Sequence, residues 1–414
     1  MRRSPKAIGR TVPAPAWFAT VWLLAVVPMA VTAARAQSLA DAVEQAWLRS
    51  PLAAPLAALD DVARARADLA ARLVSGPPSA SLSASSDRFH GDDGVQKLEA
   101  QVGVPLWLPG QQAARRAEAE SQRAVATEQR SMLRWTLAGT VRTQWWSLAI
   151  ARATRELATR RVDSARRLES DVRRRYDAGE LARMDANLAR DERLAAEADE
   201  ARAQASVQSR EAELRATTGA AAPTILAAEP DAAQPWRLED HPQWRAANAA
   251  VQSAHAGLLA TVKSDRAAPT VALRFERDRG GRTEPFANVI GVEVSIPFFW
   301  EPQVQLQTAG ARGELARAQA AAAAARLRLQ AAVDGARAEH EAAARQLDIA
   351  RERLAATADN LGLAERSFAL GETDLASLLR VRAAALEAER LLTTQRIALD
   401  AARSQLNQAL GIVP

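Results

Sequence analysis

The feature that most constrains this chain is a stretch that occurs twice. Residues 102–111 read Val-Gly-Val-Pro-Leu-Trp-Leu-Pro-Gly-Gln, and residues 294–303 read Val-Ser-Ile-Pro-Phe-Phe-Trp-Glu-Pro-Gln. Each copy ends a run of alternating apolar and polar residues and leads into a long segment rich in Ala, Arg and Glu. The pattern therefore changes from the period of a strand to that of a helix at two places 192 residues apart.

Other landmarks repeat at nearly the same spacing. Tyr176-Asp-Ala-Gly179 matches Phe368-Ala-Leu-Gly371 at an offset of 192, and Ser50-Pro51 matches His241-Pro242 at an offset of 191. Chance agreement of several landmarks at one spacing is improbable. The chain is therefore predicted to be a tandem structural duplication.

The predicted halves are residues 37–219 and 241–414, joined by a Pro-containing linker at 220–240. Only 4% of the residues are aromatic against 48% hydrophobic, and much of the apolar content is Ala, which is typical of long helices. The main predicted helices are at about 111–177, 181–219, 302–370 and 372–411. The predicted strands are at about 79–86, 97–105, 270–277 and 288–297.

The first 36 residues are predicted to be a secretory signal peptide. A basic start, an apolar run from Trp17 to Val31 and the small residues at Ala34-Arg-Ala36 favour cleavage after Ala36. The run is short for the alternative, a retained membrane anchor. Removing five Lys and Arg and no acidic residue takes the formal net charge from +5 to zero. No nucleic-acid partner is therefore expected, because that interaction needs a cationic surface.

The predicted strands have one apolar and one polar face. Leu98, Val102 and Val104 alternate with Lys97 and Gln101, for example. Four such strands cannot close a barrel, and an open edge in lipid leaves backbone groups unsatisfied. Membrane barrels need at least about eight strands, so several chains would have to share one barrel. The alternative is a small water-soluble β-subdomain beside a coiled coil.

Pro and Trp residues follow the strand ends. Pro105 and Pro297 are expected to end the ladder, because Pro has no N–H to donate. Trp107 and Trp300 stand just beyond, where aromatic residues of membrane barrels meet the interface. These four residues are the predicted membrane-interface set.

Together these features resemble the TolC-type outer membrane factor family, over essentially the whole mature chain. The junction at residues 102–110 and the turn Arg175-Tyr-Asp-Ala-Gly-Glu180 are most similar to its heavy-metal (cobalt–zinc–cadmium, Czc-type) efflux branch. The resemblance implies a mainly α fold with a small transmembrane β part. Three chains would build a 12-stranded barrel in the outer membrane and a long coiled-coil tunnel through the periplasm.

The same resemblance implies the function and the partners. A homotrimer would dock a periplasmic adaptor (membrane fusion) protein and an inner-membrane pump of the RND type, and would contact outer membrane lipid. It would conduct solute passively, with divalent heavy-metal ions as the expected cargo, and would be neither an enzyme nor a cofactor-binding protein. The absence of Cys excludes a lipid-modified cysteine.

The resemblance also places the docking surface and the aperture. The turns at Gly179 and Gly371 would be periplasmic tips, although these residues also suit plain helix termination. The adaptor-contact candidates are Tyr176, Ala178, Gly179, Glu180, Phe368, Leu370, Gly371 and Glu372. The aperture candidates are Arg183, Asp185, Asp374, Ser377 and Arg380. Ser377 and Arg380 stand where well-studied members carry an acidic ring, so a gate would be built differently here.

Other readings of the sequence are a drug-efflux or type I secretion channel, or a periplasmic coiled-coil adaptor or scaffold. Adaptors normally carry one hairpin and a lipoyl-like domain, whereas this chain has two equivalent halves. The four His residues have no metal-ligand spacing, and no phosphate-binding loop or nucleophile motif is present. An enzyme is therefore the least favoured class.

Overall fold

The computed structural model describes residues 38–231, 235–298 and 300–414. The predicted signal peptide lies outside the described residues. The helices are α1 (Leu39–Arg49), α2 (Ala53–Ala70), α3 (Gln111–Asp177), α4 (Arg183–Thr218), α5 (Pro242–Val262), α6 (Glu301–Ala369) and α7 (Leu375–Ala409). The strands are β1 (Ser79–Ser86), β2 (Gln96–Pro105), β3 (Thr270–Arg279) and β4 (Ala287–Ser295). The order helix, two strands and two long helices occurs twice, which confirms the predicted duplication.

The two longest helices, α3 and α6, have 67 and 69 residues. At 1.5 Å per residue each is about 100 Å long. In α3, Val141, Trp145 and Leu148 recur at steps of four and three, and all three are fully buried against α1, α4 and α7. The apolar stripe seen in the sequence is therefore the face by which α3 enters the core. None of the described helices combines the length and apolar character needed to cross a membrane.

The strands form one antiparallel sheet in the order β1-β2-β3-β4. Its centre is the pairing of β2 with β3, in which Ala100 lies opposite Phe275 and Pro105 opposite Thr270. The two halves of the chain thus contribute equally to one sheet. Among the described residues, β1 pairs only with β2 and β4 only with β3, so both outer edges of the sheet are open.

The second half begins at a buried histidine. His241 is the N-cap of α5, where its Nδ1 accepts the N–H of Gln243 at 3.1 Å, and Pro242 occupies the first helical position. The ring is fully buried and meets Trp135 edge-on at 5.0 Å between centroids. Burial lowers the pKa of His241 to about 4, so the ring is neutral near pH 7. The described residues hold no group of three His, Asp or Glu side chains that could bind a metal ion.

Candidate functional site

One face of the sheet is apolar and exposed. Because paired residues share a face, the register places the apolar side chains of all four strands together. Val292 on β4, opposite Leu273, is 72% exposed. Other exposed members of this face are Leu82, Leu98, Val102, Leu273, Phe275, Ile290 and Val294. So large an exposed apolar surface marks contact with another protein or with lipid.

The opposite face is polar, and its charges at mid-sheet are paired with one another. Lys97 Nζ lies 3.0 Å from Glu276 and 3.5 Å from Glu99, and Arg274 lies 3.8 Å from Glu99. Serines of β1 line the same face. A sheet with one lipid-compatible face and one polar face has the organisation of a water-filled membrane barrel.

The strand-to-helix junctions follow the predicted residues but differ from each other. Pro105 is the last residue of β2, and Pro297 lies two residues beyond β4. Trp107 turns toward the end of α2, where its Nε1 donates to the carbonyl of Arg72 at 2.9 Å. Trp300 precedes α6 and is 66% exposed. The interface role of these residues stays a prediction, and in this chain Trp300 is the more accessible of the two indoles.

The two helical tips share one backbone geometry. Gly179 and Gly371 have φ of 77° and 78°, the left-handed region that Gly enters without strain. The N–H of the following residue, Glu180 or Glu372, bonds back to the carbonyl five residues earlier, at 2.9 and 3.0 Å. This is the Schellman motif, which closes a helix end and reverses the chain. A Cβ added to either Gly would meet no atom within 4 Å, so the Gly is required for its φ and not for space.

Arg175 joins the two tips. Its Nη1 donates to the carbonyl of Phe368 at 3.4 Å, its guanidinium lies 4.9 Å from the centroid of the Phe368 ring, and its Nε pairs with Glu180 at 3.2 Å. Phe368 packs below with Val172 and Leu375 in a small apolar cluster. The two tips are therefore in direct contact with each other.

All of the predicted adaptor-contact residues except Phe368 are exposed in the single chain. Leu370 is 75% exposed, and Tyr176, Glu180, Gly371 and Glu372 are also exposed. Phe368 is only 6% exposed, so its ring supports the tip from inside and does not present a contact surface. Tyr176 and Phe368 are equivalent in the repeat, but only Phe368 is covered, because Arg175 lies over it.

Two of the five predicted aperture residues, Asp374 and Asp185, cap helices in the single chain. Asp374 is the N-cap of α7 and accepts the N–H of Ser377 at 2.6 Å, a bond that lowers the pKa of Asp374. Asp185 bonds back to the N–H of Ala182, the residue before α4, at 3.1 Å. Among the described residues, no carboxylate forms an ion pair with Arg183 or Arg380.

A buried ion pair far from the tips is absent from the sequence-based predictions. The side chains of Arg142 on α3 and Glu229 in the 220–240 segment are 3% and 6% exposed and lie 3.0 Å apart. Ser404 and Asn407 of α7 also donate to the Glu229 carboxylate, at 2.9 and 3.2 Å. Burial lowers the pKa of Arg142, and the carboxylate opposes this shift.

The same network includes the C-terminal residues. Arg142 donates to the carbonyl of Ile412 at 3.0 Å and to the side chain of Gln408. The segment predicted as a linker is thus packed between the two halves. A possible signal was Arg142 itself, a cation within the apolar stripe of α3, although the sequence does not indicate its partner.

Comparison with known proteins was made for the whole chain. The sequence profile of the family described as "Outer membrane efflux protein" matches residues 42–220 and 237–412. The cobalt-zinc-cadmium resistance protein CzcC of Cupriavidus metallidurans is 33% identical over 224 residues, which are 51% of this chain and 52% of that protein. The alignment therefore spans about half the length of that relative.

Two solved structures share the fold. The outer membrane protein VceC of Vibrio cholerae superposes with a TM-score of 0.73 at 18% identity, over 90% of this chain and 96% of that chain. CusC, described in terms of transmembrane channel formation, superposes with a TM-score of 0.75 at 16% identity, over 91% and 92%. The predicted fold class is thereby confirmed.

Proposed function

Because the chain belongs to the outer membrane efflux protein family, we propose that it is the outer membrane channel of an efflux system. It is a passive duct and not an enzyme. The observation that carries the proposal is the sheet, which has one exposed apolar face, one polar face with paired charges at its centre and two open edges. Lipid would contact the first face and water would fill the space inside the second.

Open edges require more than one copy. A strand edge in lipid leaves N–H and C=O groups unpaired, at a cost of several kcal/mol each. Four strands are too few for a membrane barrel, whereas three copies provide twelve, within the known range. We therefore propose a closed homotrimer in which β4 of one copy pairs with β1 of the next.

The internal repeat indicates how the copies meet. Helix α5 packs against α6 of its own half and against α3 of the first half. Its repeat equivalent, α2, packs against α3, and its missing second partner would be α6 of a neighbouring copy. Exposed leucines lie on both elements: Leu59 and Leu69 on α2, Leu306 and Leu327 on α6. We therefore expect the contact between α2 and α6 of neighbouring copies to resemble the contact between α5 and α3 within one chain.

The repeat also predicts the register between copies. Within one chain, Gln101 of β2 lies opposite Arg274 of β3. The repeat equivalent of Gln101 is Glu293, at an offset of 192, and that of Arg274 is Ser83, at an offset of 191. We therefore expect Glu293 of β4 to lie opposite Ser83 of β1 in the next copy. We expect the Glu293→Cys/Ser83→Cys protein to form disulfides between chains on mild oxidation, because paired residues bring Cα atoms within the roughly 4.4–6.8 Å that a disulfide needs. Non-reducing gel electrophoresis would show linked dimers and trimers.

The matched control is Glu293→Cys/Ser79→Cys, in which the second thiol moves four residues, about 13 Å, along β1. The chain contains no Cys, so every disulfide must come from the introduced pair. Linkage in the control but not in the test pair would contradict the register. Linked products of more than three chains would contradict the closed trimer.

For the cargo we propose divalent heavy-metal ions. The support is the likeness to CzcC, whose name assigns it to cobalt, zinc and cadmium resistance. We expect deletion of the gene to lower the growth-inhibiting concentration of these ions severalfold and reintroduction of the gene to restore it. Unchanged metal tolerance together with sensitivity to organic drugs would assign the channel to drug efflux instead.

We propose that the exposed tips dock a periplasmic adaptor that connects the channel to an inner-membrane pump. Gly371→Pro is expected to weaken crosslinking to the adaptor at least severalfold, because Pro fixes φ near −65° and removes the N–H that Gly371 donates to Phe368. Gly179→Pro should act in the same way on its own turn. The trimer should remain in the membrane, as tested by the disulfide pair above.

Gly362→Ala provides the control for the tip variants. Gly362 lies in the interior of α6 and has open space around the position of a Cβ, so Ala should be neutral or slightly stabilising there. Unchanged adaptor crosslinking in both Pro variants would overturn the assignment of the tips.

A further inference from the structure

A pair of arginines lies on the apolar face of the sheet. Arg277 and Arg279 of β3 both approach the ring of Phe286, with their guanidinium carbons 4.4 and 4.9 Å from its centroid. The three side chains form a stacked cluster, which we call the Arg–Phe cluster. It lies at the end of the sheet opposite the strand-to-helix junctions, since β3 begins at Thr270 beside Pro105 and ends at Arg279.

The register places the Arg–Phe cluster at the edge of the apolar surface that is farthest from the strand-to-helix junctions. Arg277 pairs with Leu98 and Asn288, one step of the same face beyond the row that contains Phe275 and Ile290. One such step is about 7 Å along the strand. A cation near the middle of a lipid-facing surface costs roughly 2–4 kcal/mol, but this cost falls to about 0–1 at the interface. The position is therefore suited to the headgroup level rather than to the hydrocarbon.

Within the described part of the chain, neither guanidinium group has an anionic partner. Among residues 38–231, 235–298 and 300–414, no carboxylate lies within 4.0 Å of Arg277 or Arg279. Over the same ranges, the one polar partner of their side chains is the carbonyl of Gly94, to which Arg279 Nε donates at 3.0 Å. On the opposite face, by contrast, Lys97 and Arg274 are both paired with glutamates. The positive charges of Arg277 and Arg279 are therefore available to bind an anion from another molecule.

Phosphate is the anion whose chemistry fits these groups. Guanidinium groups present planar forks of N–H donors that match phosphate oxygens, and stacking on an aromatic ring reduces the rotamer freedom lost on binding. Phe286 stacks with both groups and so holds two forks on the same side of the sheet. Two fixed cations beside an apolar surface suit a phosphate that is attached to acyl chains.

We propose that the Arg–Phe cluster binds the phosphate of a lipid headgroup in the outward-facing leaflet, with the acyl chains lying on the apolar face below. The proposal rests on the proposed function only in that this face meets lipid. Bound lipid would fix the depth of the sheet in the membrane and shield the two positive charges from each other.

The test is lipid retention by the full-length protein purified in detergent and measured by native mass spectrometry. Phosphatidic acid is the probe, and diacylglycerol with the same acyl chains is the phosphate-free comparison. We expect wild type to prefer phosphatidic acid and Arg277→Gln/Arg279→Gln to lose that preference at least about tenfold, as expected for the loss of charge-assisted hydrogen bonds. Phe286→Leu should cause a smaller loss, since both charges remain.

Arg282→Gln is the control, because Arg282 lies in the adjoining loop but pairs with Asp92. Equal retention of phosphatidic acid by wild type and Arg277→Gln/Arg279→Gln would overturn the proposal, and so would an equal loss in Arg282→Gln. Complete displacement of the lipid by millimolar inorganic phosphate would also overturn it, since the site would then bind free phosphate. The disulfide test between copies reports the barrel separately, so failure of the barrel and failure of this site are distinguishable.

Discussion

Val292→Asp is expected to prevent most of the protein from assembling in the outer membrane. Val292 lies in the middle of β4 on the apolar face, opposite Leu273, and is 72% exposed in the single chain. A charge at such a position costs up to roughly 2–4 kcal/mol, with Asp toward the lower end, and every copy of the assembly incurs the cost. Val102→Asp on the same face should act similarly. The measurement is the fraction of protein recovered in the outer membrane.

Val289→Asp provides a matched control within the same strand. Val289 pairs with Glu276, so its side chain is on the polar face among groups that water would reach. The same substitution three residues away should therefore leave assembly nearly unchanged. Normal assembly of Val292→Asp combined with failure of Val289→Asp would show that the two faces are reversed.

Glu229→Ala is expected to lower the free energy of unfolding by about 3–5 kcal/mol, the usual cost of leaving one buried charge without its partner. The substitution leaves Arg142 buried and also removes the acceptor used by Ser404 and Asn407. The measurement is the shift of the denaturant midpoint of the helical circular dichroism signal. Because the network joins α3 to α7, the loss should loosen the contact between the two halves.

Two further variants separate the buried pair from charge loss in general. Glu156→Ala removes one partner of the exposed Glu156–Arg160 pair and should cost at most about 1 kcal/mol. Arg142→Met/Glu229→Leu replaces both buried charges by apolar groups, which is often far less costly than removing one. The single variants Arg142→Met and Glu229→Leu are measured beside it. If the loss of unfolding free energy in the double variant equals the sum of the two single losses, the two side chains stabilise the protein through other contacts and not through each other.

Residues whose role depends on local pattern were well predicted from sequence. The alternation of Leu98, Val102 and Val104 with polar neighbours predicted a sheet with one apolar face, and the register confirms that face. The match of Gly179 with Gly371 predicted two equivalent turns, and both adopt the same backbone conformation. These features depend on residues a few positions apart, within reach of a periodicity argument.

Roles that depend on distant partners were not predicted. Phe368 and Tyr176 look equivalent in the repeat, yet Arg175 covers only Phe368. The 220–240 segment reads as a Pro-containing linker, yet Glu229 is buried in it. Nothing local to Glu229 distinguishes it from the many acidic residues on the surface.

The sequence by itself determined the duplication, the long helices and the two-faced sheet, because each depends on spacing along the chain. Only the tertiary structure decided which repeated positions keep the same role. It paired Arg142 with Glu229 and Ile412, and it placed Arg277 and Arg279 on one aromatic ring with no carboxylate of the described residues within ion-pair distance. The physical reason is that burial and charge pairing are set by residues brought together from distant parts of the chain, whereas periodicity records only which face a residue occupies.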